Sequence, residues 1–371
     1  DPRGLPRHGE APARPREGLT RDASLLGHGC VGADAVTDDR KAAARERFRG
    51  LENWLAPSFG PDLRALCEEG VRLDVRQGIR HGVFSTCCAL DAGLTPAERR
   101  RVVDVAVREA NGRIRVSIAP GAVPFDEVVA LVRHAADVGA SHAHIAYPQS
   151  FQPRTNDELV DYVRRVADAS PLPICLTAND RTSFHALHPS GVPLDALERL
   201  ADHPAIVALQ LGSLDAGLVL ECCERLGDRI AIGTPHLSLL PILSAEFGVR
   251  WSGPWPVEAV QSPERPHAVE FLRRLEAGDA AAALAKYWEM APALGAAARV
   301  AMSFAHTGAQ HWPLVKYQQW LSGGHGGMTR QPVMRMFQRD MQAVRAGLAA
   351  VGVACADDDA AFYAGRARAA A

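Results

Sequence analysis

Few residues in this chain have the type and spacing to carry reaction chemistry. His142 and His144 sit inside an apolar run, and at the two-residue period of a strand both imidazoles leave the same face. Two histidines on one face can bind a metal, but the pair stands at the start of its run and no third ligand lies nearby in sequence. A structural role is therefore expected for them, with no metal and no cofactor. His236 follows a later apolar run and is the best-placed group for acid–base work near neutral pH, its plainer meaning being a helix-cap histidine. Tyr147 and Gln149 flank Pro148, where the tyrosine is either an acid or packing. Cys87 and Cys88 could supply a nucleophile, yet nothing adjacent would lower a thiol pKa, and buried thiols are usually inert. Lysine occurs only at Lys41, Lys286 and Lys316, the rest of the 41 basic residues being arginine, so amine chemistry has few possible places.

Composition narrows the partners. The net charge is −2, which offers no basic surface for nucleic acid or an acidic membrane. No apolar run approaches the roughly 18 residues of a membrane span. The eight cysteines include the adjacent pairs Cys87-Cys88 and Cys222-Cys223 and no CxxC, so neither a disulfide frame nor a zinc ribbon is expected, and a reducing cytoplasmic compartment is. The SGGHGG segment (322–327) lacks the lysine and hydroxyl of a phosphate loop and reads as a flexible helix connection.

These residues need elements to position them. Eight short apolar runs, at 51–57, 83–86, 113–118, 142–147, 173–177, 206–211, 229–232 and 250–253, are separated by amphipathic stretches. Helices are expected at 95–110, 125–138, 155–168, 193–201, 214–226 and 237–247. Thr95-Pro96 with Glu98, and Thr155 with Glu158, are capping-box signals, and Gly139 and Gly227 fall where left-handed caps belong. Eight strand–helix units predict an α/β fold, a (β/α)₈ TIM barrel; no GxGxxG opens the first unit, which counts against an open doubly wound sheet. Further helical patterns at 266–276, 280–294, 312–321 and 339–351 predict a C-terminal helical extension. The expected organisation is a flexible tail over 1–40, the barrel over 41–275, C-terminal helices over 276–353 and a frayed tail over 354–371. Within the sixth run, Gln210 shares a face with Ile206 and Ala208 and is expected to point into the barrel near its mouth.

In order and spacing, several segments resemble the dihydrodipicolinate synthase/N-acetylneuraminate lyase family. They are GVFSTCCALDAGLTPAERRRVV (82–103), IAYPQSFQP (145–153), LPICLTAND (172–180), AIVALQLGS (205–213), PLVKYQQW (313–320) and RQPVMRMFQRDMQAVRAGLAAVGV (330–353). The resemblance implies a barrel that acts on small oxo acids, a homo-oligomer, and substrate contacts from Arg181, whose guanidinium suits a carboxylate. It also exposes departures. The family's imine-forming lysine aligns with Gln210, and an amide cannot form an imine. The family's relay tyrosine aligns with Thr177, its strand-four tyrosines with Gln149 and Ser150, and its Thr-Thr pair with Cys87-Cys88 or Thr86-Cys87. The resemblance thus implies a divergent lyase or aldolase-type enzyme for a small oxo acid or related carbonyl compound, working without a lysine Schiff base. Gln210, Arg181, Thr86, Cys87, Gln149 and Ser150 would meet the substrate, and His236, Tyr147 or Thr177 would serve the chemistry. The competing expectation is a catalytically silent barrel that binds a metabolite or a protein partner.

Overall fold

The computed structural model describes residues 41–366 except 92, 146, 149–150, 179–183, 306–309, 331–333 and 357. A short helix, α1 (41–46), precedes the first strand. Strand and helix then alternate: β1 (Gly50–Leu55), α2 (Glu68–Arg80), β2 (Ser85–Ala89), α3 (Pro96–Ala110), β3 (Arg115–Ala119), α4 (Phe125–Val138), β4 (His142–His144) and α5 (Asn156–Ala169). The second half runs β5 (Ile174–Ala178), α6 (Leu194–Ala201), β6 (Ile206–Leu211), α7 (Ala216–Leu226), β7 (Ala231–Gly233), α8 (Leu240–Phe247) and β8 (Trp251–Trp255). Every strand pairs in parallel with its neighbours, and β1 pairs with both β2 and β8, which closes the barrel. Beyond it lie α9 (His267–Glu276), α10 (Ala280–Ala305), α11 (Trp312–Leu321), α12 (Gln338–Ala350) and α13 (Asp359–Ala364).

Local chemistry explains the helix starts. Thr95 and Glu98 form a complete reciprocal capping box, with Pro96 in the first turn of α3. At α5 the expected box is half made: Thr155 accepts from the Glu158 amide, but the Glu158 carboxylate reaches past it to the Arg154 amide, 2.7 Å away. Gly139 adopts the left-handed cap. Gly227 does not; its φ is −66°, and its need for glycine is spatial, since a Cβ would lie 2.6 Å from the Cys223 carbonyl.

Two segments differ from expectation. The glycine-rich 322–327 segment is buried, not a loose connection: the Ser322 carbonyl accepts from Gln77, and the His325 amide donates to Asp74 at 2.8 Å. A Cβ on Gly324 would lie 2.9 Å from Asp74 Oδ1, so glycine allows this close passage. After Val353, where fraying was expected, α13 docks through Phe362, whose ring meets Tyr317 at 5.1 Å.

Candidate active site inside the barrel

The interior is identified by contacts that only a lumen permits. β1 and β4 are separated by β2 and β3 in the closed sheet, yet Glu52 of β1 meets His142 and His144 of β4. Those three side chains therefore point inward, and strand alternation with the observed register assigns the rest. Ser85 and Cys87 on β2, Ser117 on β3, Cys175 and Thr177 on β5, and Ala208 and Gln210 on β6 share the inner face. The N-terminal end of the lumen is closed by Phe48 and Trp251, whose rings stand 4.8 Å apart, with His142 4.8 Å from Phe48. Gly233 must lack a side chain here, because a Cβ would overlap the Trp251 ring.

Above this floor lies a fully buried polar layer. Glu52 Oε1 accepts from Ser85 Oγ at 2.9 Å and Ser117 Oγ at 2.6 Å, and Oε2 accepts from His144 Nε2 at 3.1 Å. His142 Nε2 also lies 3.1 Å from Oε1, but out of line for a hydrogen bond. Burial raises the Glu52 pKa, and the charge and hydrogen bond of His144 outweigh it, holding the carboxyl well below its usual range. Burial lowers the His144 pKa, but Cys175 and Glu52 bring it up to about 10. Burial raises the Cys175 pKa while His144 lowers it, and Glu52, held well below its usual range, is the carboxylate that His144 balances. His142 is pushed down by burial and stays neutral.

Roughly 7 Å further up, two residues along each strand, is the layer of Thr177 and Gln210. The two are register partners on neighbouring strands, so the amide and the hydroxyl share one wall of the lumen. Toward the same end, Trp54 of β1 packs edge-on to Trp312 of α11 at 5.5 Å, and Gln319 Nε2 donates to the Trp54 carbonyl at 2.8 Å. Half-buried His236 lies in the loop after β7. Its Nε2–H donates to the Gly212 carbonyl at 3.0 Å, two residues past Gln210, which leaves Nδ1 as its second nitrogen.

The remaining expected site residues fall elsewhere. Tyr147 is buried in an aromatic cluster, 5.0 Å from Phe184 and 6.0 Å from Tyr162 of α5, and burial pushes its phenol pKa up. Cys87 faces the lumen, but burial and the Glu52 charge raise its thiol pKa far above neutral, which leaves it without nucleophilic character. Thr86 alternates to the opposite face from Cys87 and so lies outside the lumen, fully buried, correcting the expectation that it meets a substrate there. Arg181, Gln149 and Ser150 lie outside the described residues. Glu52 was not singled out by sequence reasoning. Its only signal was a carboxylate in the apolar run LENWL, and its histidine partners lie some ninety residues away.

None of the three lysines faces the lumen. Lys316 on α11 is fully buried against Asp74 of α2. Lys286 on α10 pairs with Glu270 at 2.7 Å and Glu289 at 3.0 Å. Lys41 on α1 donates to the carbonyls of Ala201 and His203, below the N-terminal end of β6.

Among the described residues no helix is long and apolar enough to cross a membrane, and the seven described cysteines are free thiols. Residues 63–235 match the model of the dihydrodipicolinate synthetase family. The chain is 29% identical over 252 residues to 4-hydroxy-tetrahydrodipicolinate synthase of Methanopyrus kandleri, covering 66% of this chain and 80% of that protein. It is 34% identical over 164 residues to the synthase of the same name from Gluconobacter oxydans, covering 43% of this chain and 53% of that one. A crystal structure of a dihydrodipicolinate synthase superposes with a TM-score of 0.68 at 21% identity, covering 82% of this chain and all of the other. N-acetylneuraminate lyase from Fusobacterium nucleatum superposes with a TM-score of 0.66 at 15% identity, covering 81% and 98% of the two chains.

Proposed function

We propose, from the premise that the chain belongs to the dihydrodipicolinate synthetase family, that this lyase-like barrel acts on a small oxo acid or related carbonyl compound without a lysine Schiff base. The observation that carries the reading is the pair at the upper layer of the lumen. An amide, Gln210, stands beside a hydroxyl, Thr177, while all three lysines of the chain lie on helices and point elsewhere.

The chemistry open to such a site is enolisation. A base removes a proton from the carbon next to the substrate carbonyl, and the electron pair moves onto the carbonyl oxygen. Donors fixed at that oxygen, here the Gln210 amide and the Thr177 hydroxyl, stabilise the developing oxyanion in place of an iminium sink. The oxygen's electron pair then re-forms the carbonyl as the enolate carbon takes the proton back from the base, or as it attacks an aldehyde carbon whose oxygen takes that proton and becomes a hydroxyl. His236 is the base that fits: its Nε2 proton is committed to Gly212, beside the end of β6, so Nδ1 is free to accept. Arg181 would bind the substrate carboxylate.

The test is proton exchange in D₂O, followed by NMR on pyruvate and other short oxo acids. Exchange at the carbon next to the carbonyl, above the buffer rate, is expected. Gln210→Ala should lower it roughly 10²-fold, the loss typical of one oxyanion donor. Ligand-induced stabilisation with no exchange for any oxo acid would instead mark a silent binding protein.

A further inference from the structure

We infer that Glu52, His142 and His144 form a binding site for a divalent transition-metal ion of the zinc class, inside the barrel and beneath Thr177 and Gln210. This rests on the lower layer alone and stands whether or not the mouth is catalytic.

The donor geometry fits. One ligand atom from each residue lies within 4.8 Å of the others, and all three side chains are buried. Each imidazole Nε2 stands 3.1 Å from one oxygen of the same carboxylate. Ligands held about 2.0–2.1 Å from zinc stand roughly 3.0–3.4 Å from one another in tetrahedral or octahedral arrangement, so seating an ion needs a closing of no more than about 2 Å across the widest pair. Two imidazoles with one carboxylate suit zinc, iron, cobalt or nickel, not the all-oxygen shells of calcium and magnesium.

The hydrogen bonds around His142 point the same way. Ser141 Oγ donates to the Val116 carbonyl at 3.0 Å and lies 2.9 Å from His142 Nδ1. With its one proton so committed, Ser141 accepts from Nδ1–H, and Nε2 then carries a lone pair. That lone pair lies 3.1 Å from Glu52 Oε1 but off the line between them, with no hydrogen bond and no access to water. An ion pair alone does not account for this nitrogen: Ser85, Ser117 and His144 already satisfy the carboxylate, and the second imidazole is surplus. A cation set off the line between this nitrogen and Oε1 is coordinated by both lone pairs, and by His144 Nε2 once the proton it gives Glu52 is displaced by the metal. Ser85 and Ser117 on Glu52, and Ser141 on His142, are the outer partners that orient metal ligands. A site this deep would load as the chain folds.

The experiment uses the full untagged chain, produced with added zinc or cobalt, dialysed against metal-free buffer and assayed for bound metal by mass spectrometry. About one ion per chain is expected, in line with a single three-ligand site. His142→Ala and Glu52→Gln should lose it, Ser117→Ala should weaken retention roughly 10-fold, and the exposed-loop control His188→Ala should keep it. If the ligand variants do not fold, X-ray absorption on the cobalt-loaded native chain decides, with two imidazoles and carboxylate oxygen expected and no sulfur. A native chain that retains no stoichiometric metal would overturn the proposal, as would an ion kept by folded His142→Ala protein or bound through sulfur.

Discussion

The barrel interior and the seam beneath the C-terminal helices each bury a cation against a carboxylate, and they do so to different ends. In the seam, Lys316 of α11 meets Asp74 of α2, and Asp74 also accepts the His325 amide at 2.8 Å. Its two donors come from α11 and the 322–327 segment, so the pair joins the appended helices to the barrel. In the interior, His144 balances Glu52, two serines complete the carboxylate, and His142 is left over. A satisfied pair is a joint; a pair with a spare donor has capacity for a ligand. Lys316, a fully buried lysine, thus belongs to the joint and not to the lumen.

The sharpest way to break this comparison is to remove one partner in the seam. Lys316→Met leaves Asp74 buried and uncompensated, and should destabilise the chain by about 3–5 kcal/mol in urea unfolding. Adding Asp74→Leu should recover much of that loss, though not the part that comes from stranding the His325 amide. An effect of Lys316→Met below about 1 kcal/mol would show that the pair is not a joint.

Gly233→Ala examines the interior floor. The new methyl overlaps a Trp251 ring already wedged against Phe48, so overpacking should cost about 1–3 kcal/mol or more in the same measurement. An unchanged midpoint would mean that the floor yields.

Glu258, on the short 3₁₀ turn at 257–259, separates the two regions by pH. Burial raises its pKa from 4.5 to about 7, while its Oε1 accepts from Asn53 at 3.2 Å and its Oε2 has no hydrogen bond. Because the folded state holds this proton more tightly than the unfolded state, stability falls as pH rises from about 4.5 through 7 and then levels. Glu258→Gln keeps the Asn53 contact and removes the charge. It should stabilise the protein by on the order of 2–3 kcal/mol at pH 8, and by nearly nothing at pH 4.5. A gain independent of pH would contradict the assignment. The smallest effect belongs to Lys286→Met, whose carboxylate partners Glu270 and Glu289 are 40% and 52% exposed and can return to water; a loss within about 1 kcal/mol is expected from thermal unfolding.

The fold was legible because its signals are local. The period-two runs, the Thr95–Glu98 box and the Gly139 cap each occupy a few consecutive residues, and α4 and α11 end where the sequence places them. α2 was not read, although Val71, Val75 and Ile79 recur every four residues, because Gly70 and Gly78 interrupt the pattern. Gly70 is there for a distant reason: a Cβ would strike Ser58 and the His325 ring. The interior cluster escaped notice for the same kind of reason. His142 and His144 were visible as a pair, but the third group crosses the lumen from a strand three places away, and sequence spacing carries no record of barrel closure.

The proposed reading requires a lumen with no amine, an amide standing at position 210. The most direct test is the intact mass of the native chain after borohydride reduction with pyruvate, alongside Gln210→Lys. No adduct is predicted on native protein. In the variant, trapping is allowed but efficient aldol turnover is not, because Thr177 offers no phenol to relay a proton and Tyr147 is packed against α5. A pyruvate adduct on native protein, mapped to Lys41, Lys286 or Lys316, would contradict the account.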